Sequence, residues 1–243
     1  MTNDFSAIFG DARALWRANR DLLIRVGGVF LFLPAFAMQL FLPPQEMKDV
    51  TFEQAFEATV QWAVANAHWL LLDRLVSLFG LVTLLMLLLA RAESTLGETM
   101  RHALRRFPAF VLLWLLVSML TTLGAMAFIV PGLYLAGRTF LIGAALIAEP
   151  ERGPAAAFSA GIEVSRGRGW MLFLIAAIVW LVALVATGLA GDLGRAFDTL
   201  GGPIFGGAVG SALSSVVSTA AAIAMVLLQV AAYRRLAAPR QGI

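Results

Sequence analysis

Six long apolar runs divide the chain, at positions 22–42, 69–90, 109–130, 132–148, 170–190 and 204–232. A helix of about 20 mostly apolar residues crosses a hydrocarbon layer about 30 Å thick. The pattern therefore predicts an all-α fold, a polytopic membrane helix bundle with six transmembrane helices. Only Pro131-Gly132 separates the third run from the fourth. Proline fixes one turn dihedral and glycine relaxes the next, so a tight hairpin turn is expected at these two residues. The fourth run is short for a span, and the last is long enough to continue past the bilayer.

Polar positions recur at helical spacing ahead of the first, third and fifth runs. Asp4 can cap a helix whose apolar face is Phe5, Ile8, Ala12, Leu15 and Trp16, with Arg13, Arg17 and Arg20 as its basic stripe. Thr95-Leu96-Gly97-Glu98 has the form of a capping box. The helix it starts puts Leu96, Met100, Leu104 and Phe107 on one face and Arg101, His102, Arg105 and Arg106 on the other. Pro154 suits the first position of a third helix ending near Arg166. All three read as interfacial amphipathic helices. Each would form, with the two spans that follow, one copy of a repeated unit, at 4–90, 94–148 and 154–232, inside a single membrane domain of residues 1–243. The segment 43–68 is acidic through Glu46, Asp49, Glu53 and Glu57. Phe52, Phe56 and Val60 repeat there at helical spacing and predict an amphipathic helix on the outer surface.

Composition strengthens the membrane reading. Hydrophobic residues make up 60% of the chain and charged residues only 14%, and the mean hydropathy is +0.84. Soluble domains average about 45–50% apolar and about 25% charged. An excess this large needs lipid around it rather than a larger core. The net charge is +3, carried by arginines beside the apolar runs, where anionic membrane lipids are the expected partner. No basic patch is interleaved with stacking aromatics, so nucleic acid is not an expected partner. The chain has no cysteine, which removes disulfides, thiolate metal sites and cysteine nucleophiles.

Charge also orients the bundle. With the N-terminus inside, fourteen Lys and Arg residues fall in inner segments, whereas Lys48, Arg74 and Arg195 fall in outer ones and Arg138 lies within a span. The cytoplasmic side carries the excess of such residues, so both termini are expected in the cytoplasm. Trp16, Trp170 and Tyr233 then belong to the inner interface, and Trp62, Trp69 and Tyr134 to the outer one.

The chemistry-bearing candidates are few. Arg138 lies about six residues into the fourth span, on the order of 10 Å deep at 1.5 Å per residue, and a charge there should face protein or water. Asp73 enters the second span from the same side, so an Asp73–Arg138 pair is expected. It would be either a site for an anionic lipid or substrate, or an ion pair locking two helices; Arg74 is the competing partner for Asp73. Arg101, Arg105 and Arg106 are candidates for lipid headgroup contact, specific or generic. Gly206, Gly210, Ser214 and Ser218 repeat every four residues and would let helix backbones approach closely, within the bundle, along a homodimer seam or as a polar lining. No H-E-x-x-H, G-x-S-x-G or P-loop motif is present, and His68 and His102 fall on opposite sides of the membrane. Neither a metal, a cofactor nor a catalytic residue is expected.

One segment has a familiar form. Thr95-Leu96-Gly97-Glu98 leads into an arginine-rich helix, followed by Pro131-Gly132-Leu133-Tyr134, Arg138, Glu149-Pro150 and a stretch from Ala157 to Ser165 ending in Arg166-Gly167 and Trp170. This resembles the bacterial YciC-like inner membrane proteins, and is similar to the membrane-anchor domain fused to some glycerophosphodiester phosphodiesterases. The match covers positions 94–180, under half of the chain. It implies a polytopic protein of the bacterial inner (plasma) membrane. It does not imply phosphodiesterase activity, because the hydrolase of the fused proteins is a separate soluble domain.

The expected function is that of a non-enzymatic integral membrane protein of the cell envelope, acting as a scaffold or as a partner- or lipid-binding protein, with a protein partner or a homo-oligomer both open. A transporter or lipid-translocating protein, with Arg138 and the serine-rich last span lining a path, is the second reading. A membrane enzyme acting on lipid headgroups is the third.

Overall fold

A computed structural model of the protein describes residues 2–42, 51–89, 95–149 and 153–237. Glu46, Lys48, Asp49, Arg91, Pro150, Arg152 and Arg240 lie outside the described residues. Within them the chain is helical and contains no strand. The helices are α1 (Thr2–Gly27), α2 (Leu33–Phe41), α3 (Phe52–Ala65), α4 (Ala67–Leu89), α5 (Leu96–Ala127), α6 (Ile129–Thr139), α7 (Ile142–Ala148), α8 (Pro154–Val164), α9 (Gly169–Gly201) and α10 (Pro203–Ala237). Six segments are long and apolar enough to cross a membrane: Asp4–Phe41, Ala67–Leu89, Leu96–Met126, Val130–Ala148, Gly169–Gly201 and Pro203–Ala237.

The first of these is α1 and α2 joined by a π-helical turn at Gly28–Phe32. The turn stands just ahead of Pro34, which has no N–H to give the Phe30 carbonyl. There the Leu33 N–H reaches back five residues to the Gly28 carbonyl, and the axis continues without a break. The basic stretch before the first span is thus not a separate interfacial helix but the start of a continuous one. The same holds for α5, which runs from its capping box at Thr95 and Glu98 through Pro108 to Ala127. Only α8 stands apart from the span it precedes, separated from α9 by a turn in which Gly167 takes φ +76°, a left-handed conformation that glycine adopts at little cost. The three stretches expected to form one repeated unit therefore take two different forms.

The third-to-fourth connection also differs from expectation. The chain reverses at Phe128, which is extended (φ −155°, ψ 123°), and α6 begins at Ile129. Pro131 and Gly132 lie in the first turn of α6. A proline is tolerated there because the first N–H groups of a helix have no internal acceptor. Gly132 serves contact rather than turning: a methyl group on it would stand 2.6 Å from the Ala125 Cα of α5. The fourth span is broken between α6 and α7, where Thr139 Oγ1 donates to the Leu135 carbonyl at 2.9 Å.

The core gathers around α10. Ile8, Ala12, Leu23 and Val26 of α1 are buried, as the apolar face read from the sequence requires. On α5 the buried stripe is Thr99, Ala103, Phe110 and Leu113, while Leu96 and Leu104 of the expected apolar face are exposed. Small Thr99 and Ala103 permit close packing where the larger leucines would not. α7 is almost wholly buried, and Gly161 of α8 packs on it, a methyl group there reaching within 2.7 Å of the Ile142 Cα. The outward faces are apolar instead: Leu174, Ile178, Leu181, Val185 and Leu189 form an exposed stripe on α9, and Leu112, Leu116, Met119 and Leu123 another on α5. Soluble proteins seldom show contiguous apolar surface on this scale, and a hydrocarbon solvent removes its cost.

Candidate functional site

The helices that carry both chain termini meet at one end of the bundle. Asp11 of α1 pairs with Arg235 of α10 at 3.1 Å, and Asp4 pairs with Arg168 at 3.3 Å. Tyr233 donates to Glu149 at 3.3 Å, tying α10 to the end of α7. Arg234 donates to the Leu88 carbonyl, a cation on the last turn of α4, where helix carbonyls lack internal partners. Around these contacts stand the exposed side chains of Arg13, Arg17, Arg20, Arg101, Arg105 and Arg166. Arg101 and Arg105 leave α5 on its outward side, and Arg106 is half-buried. The opposite end of the bundle, around the α9–α10 turn and the start of α4, carries Arg74 and Arg195 among the described residues.

Arg138 and Asp73 are not brought together. Arg138 occupies the last turn of α6, where its stem packs along Gly169 at the start of α9; a methyl group on Gly169 would meet its Cγ and Cδ at 3.1 Å. Ser165 Oγ donates to the Arg138 carbonyl at 2.7 Å. Asp73 lies in the second turn of α4, beside the cleft between α4 and α2. Arg138 Nη1 and Asp73 Oδ1 are each shielded and have no hydrogen-bond partner among the described residues. The physical cause is the α6–α9 contact: Gly137 lets the two backbones touch at Gly169, which holds Arg138 against the start of α9. The same contact sets the Tyr134 ring 5.8 Å from the Trp170 ring, so these two do not mark opposite interfaces as expected. Arg74 acts on Asp73 through its charge, but donates no hydrogen bond to Asp73 Oδ1. Its guanidinium lies 4.4 Å from the centre of the Trp114 ring on α5, a cation–π contact.

The small-residue face of α10 packs on α9. A methyl group on Gly194 would stand 2.8 Å from the Gly210 Cα, and one on Gly206 would strike Asp198 and the Gly194 carbonyl. Gly206, Gly210 and Ser214 are buried in this seam. Ser218 is exposed, and its Oγ donates to the Ser215 carbonyl at 3.1 Å. One turn away, Gln39 Nε2 of α2 donates to Ser215 Oγ at 3.0 Å. A lone amide in an apolar run was the available signal for that bond, and it was missed. The Arg74–Trp114 contact was missed as well, because nothing in the spacing relates residues on different helices.

Among the described residues no group of three His, Asp or Glu side chains could hold a metal ion. His68 lies at the start of α4 and His102 near the start of α5. Two clefts, about 570 Å³ between α2 and α4 and about 620 Å³ between α1 and α10, are walled mainly by apolar side chains.

Six apolar helices, apolar outward faces and arginines gathered at one end define a multi-pass α-helical membrane protein. Comparison with protein-family models, curated proteins and solved structures found no match to this chain.

Proposed function

We propose that the protein is a non-enzymatic scaffold or binding protein of the bacterial inner membrane, with its arginine-rich end in the cytoplasm and anionic lipid as the ligand of that end. The observation that carries this reading is the gathering of exposed arginines from α1, α5 and the α8–α9 turn around the helix ends that bear both termini. Arginine beside an anionic leaflet gains on the order of 1 kcal/mol per residue, and its planar fork can take two phosphate oxygens at once. The resemblance to YciC-like inner membrane proteins supports the same placement. Tight seams at α9–α10 and α6–α9 favour a fixed body over one that rocks between two states.

Native mass spectrometry of the protein in nanodiscs of mixed phosphatidylglycerol and phosphatidylcholine tests the proposal. The wild type should retain phosphatidylglycerol above its share of the bilayer. The combined variant Arg101→Gln, Arg105→Gln and Arg106→Gln should lose that enrichment. Equal enrichment in both would remove the α5 arginines from the lipid site, and no enrichment in either would sink the anionic-lipid reading.

A further inference from the structure

The cleft between α2 and α4 lies away from the arginine-rich end and has the opposite polarity. It encloses about 570 Å³ and is walled by Pro34, Met38, Phe41, Trp69 and Leu72, with Asp73 on its lining. That volume falls within the range of small-molecule sites, which pair apolar walls with a few placed polar groups. Asp73 supplies the one formal charge among the described lining residues. Its Oδ1 is shielded from solvent and has no hydrogen-bond donor among the described residues. The charge of neighbouring Arg74 acts on the carboxylate, but Arg74 donates no hydrogen bond to Oδ1, its guanidinium being turned onto the Trp114 ring. A shielded polar atom without a partner is costly, and an occupant with N–H donors and a positive charge would relieve that cost.

We propose that this cleft binds an organic ammonium bearing an apolar body, with the N–H groups on Asp73, the charge beside the Trp69 ring and the body along Met38 and Leu72. An anion would be repelled by Asp73, and a wholly apolar occupant would leave Oδ1 as unsatisfied as before. An ammonium of this kind comes either from a free hydrophobic amine or from the headgroup of phosphatidylethanolamine.

The experiment is calorimetric titration of the purified full-length chain in maltoside micelles with n-decylammonium, with decanoate as the matched anion. The wild type should bind decylammonium saturably at one site and show no saturable heat with decanoate. Asp73→Asn keeps the shape and removes the charge; it should weaken binding roughly tenfold or more, as when a buried charge loses its partner. Met38→Trp fills the cleft from α2 without touching the carboxylate and should abolish saturable binding, which keeps the test decisive if Asp73→Asn misfolds. Competition by added phosphatidylethanolamine, and not by phosphatidylcholine, would support the site and identify the headgroup as the source. Retained binding in the presence of both lipids would support the site with a free amine as its ligand. Equal decylammonium binding by wild type and Asp73→Asn, or no saturable binding by the wild type, would overturn the proposal.

Discussion

Gly194 of α9 and Gly210 of α10 meet backbone to backbone, with 2.8 Å between the Gly210 Cα and the place where a methyl group on Gly194 would stand. With no side chains between them, the helices gain dispersion contacts along their backbones, which is what drives association where lipid tails are as apolar as leucine. The turn that joins the helices ends at Gly202, with φ +82°, and its N–H donates to the Asp198 carbonyl at 2.9 Å.

Enlarging this seam should destabilise the protein. Gly206→Leu would force side-chain atoms into Asp198 and the Gly194 backbone, and overpacking of this kind costs about 1–3 kcal/mol or more. Gly207, one residue on, has nothing within 4 Å of an added methyl group. Gly207→Leu should therefore change the melting temperature little. Thermal melts of the two variants in detergent check this; equal melting temperatures would show that the seam does not bear on stability.

Asp73 and Arg138 should behave independently. Each has a shielded atom without a hydrogen-bond partner among the described residues, and they belong to different contacts. In a double-mutant cycle with Asp73→Asn and Arg138→Gln, effects on stability should add within about 0.5 kcal/mol. A coupling well above that would restore the ion pair read from the sequence.

Much of this arrangement was legible before any coordinates. The six apolar runs correspond to six segments long enough to cross a membrane, the fourth of them broken, because a span is announced by its own composition. The buried face of α1 was legible from Ile8 and Ala12 for the same local reason. The hairpin turn was not. Pro131-Gly132 has the composition of a turn, yet the reversal occurs at Phe128, an apolar residue in an apolar run, and Gly132 was needed for contact with Ala125. The Asp73–Arg138 pair failed on geometry that spacing cannot supply, since the packing of α6 on α9 decides where Arg138 sits. On α5 the periodicity of the larger Leu96 and Leu104 points to one face, but the buried residues are the smaller Thr99 and Ala103.

Arg74 and Trp114 should be coupled across α4 and α5. The 4.4 Å approach of the guanidinium to the ring centre places the charge on the negative face of the indole. Cation–π contacts contribute about 0.5–2 kcal/mol, more when shielded from water. A cycle of Arg74→Met and Trp114→Leu should return a coupling in that range. Trp114→Phe should retain part of it, because phenylalanine keeps a weaker ring face.

The central claim is a bundle that spans the membrane with its arginine-rich, terminus-bearing end in the cytoplasm, and cysteine labelling tests it most directly. The chain has no native cysteine, so each introduced thiol reports alone. Ala18 stands exposed among the arginines of α1, and Thr199 stands exposed near the α9–α10 turn. Intact bacterial cells with a permeabilised outer membrane would be treated with a membrane-impermeant maleimide. Thr199→Cys should be labelled, and Ala18→Cys should be labelled only after the inner membrane is lysed. Labelling of Ala18→Cys alone in intact cells would invert the bundle, and labelling of both would contradict the claim that the membrane lies between them.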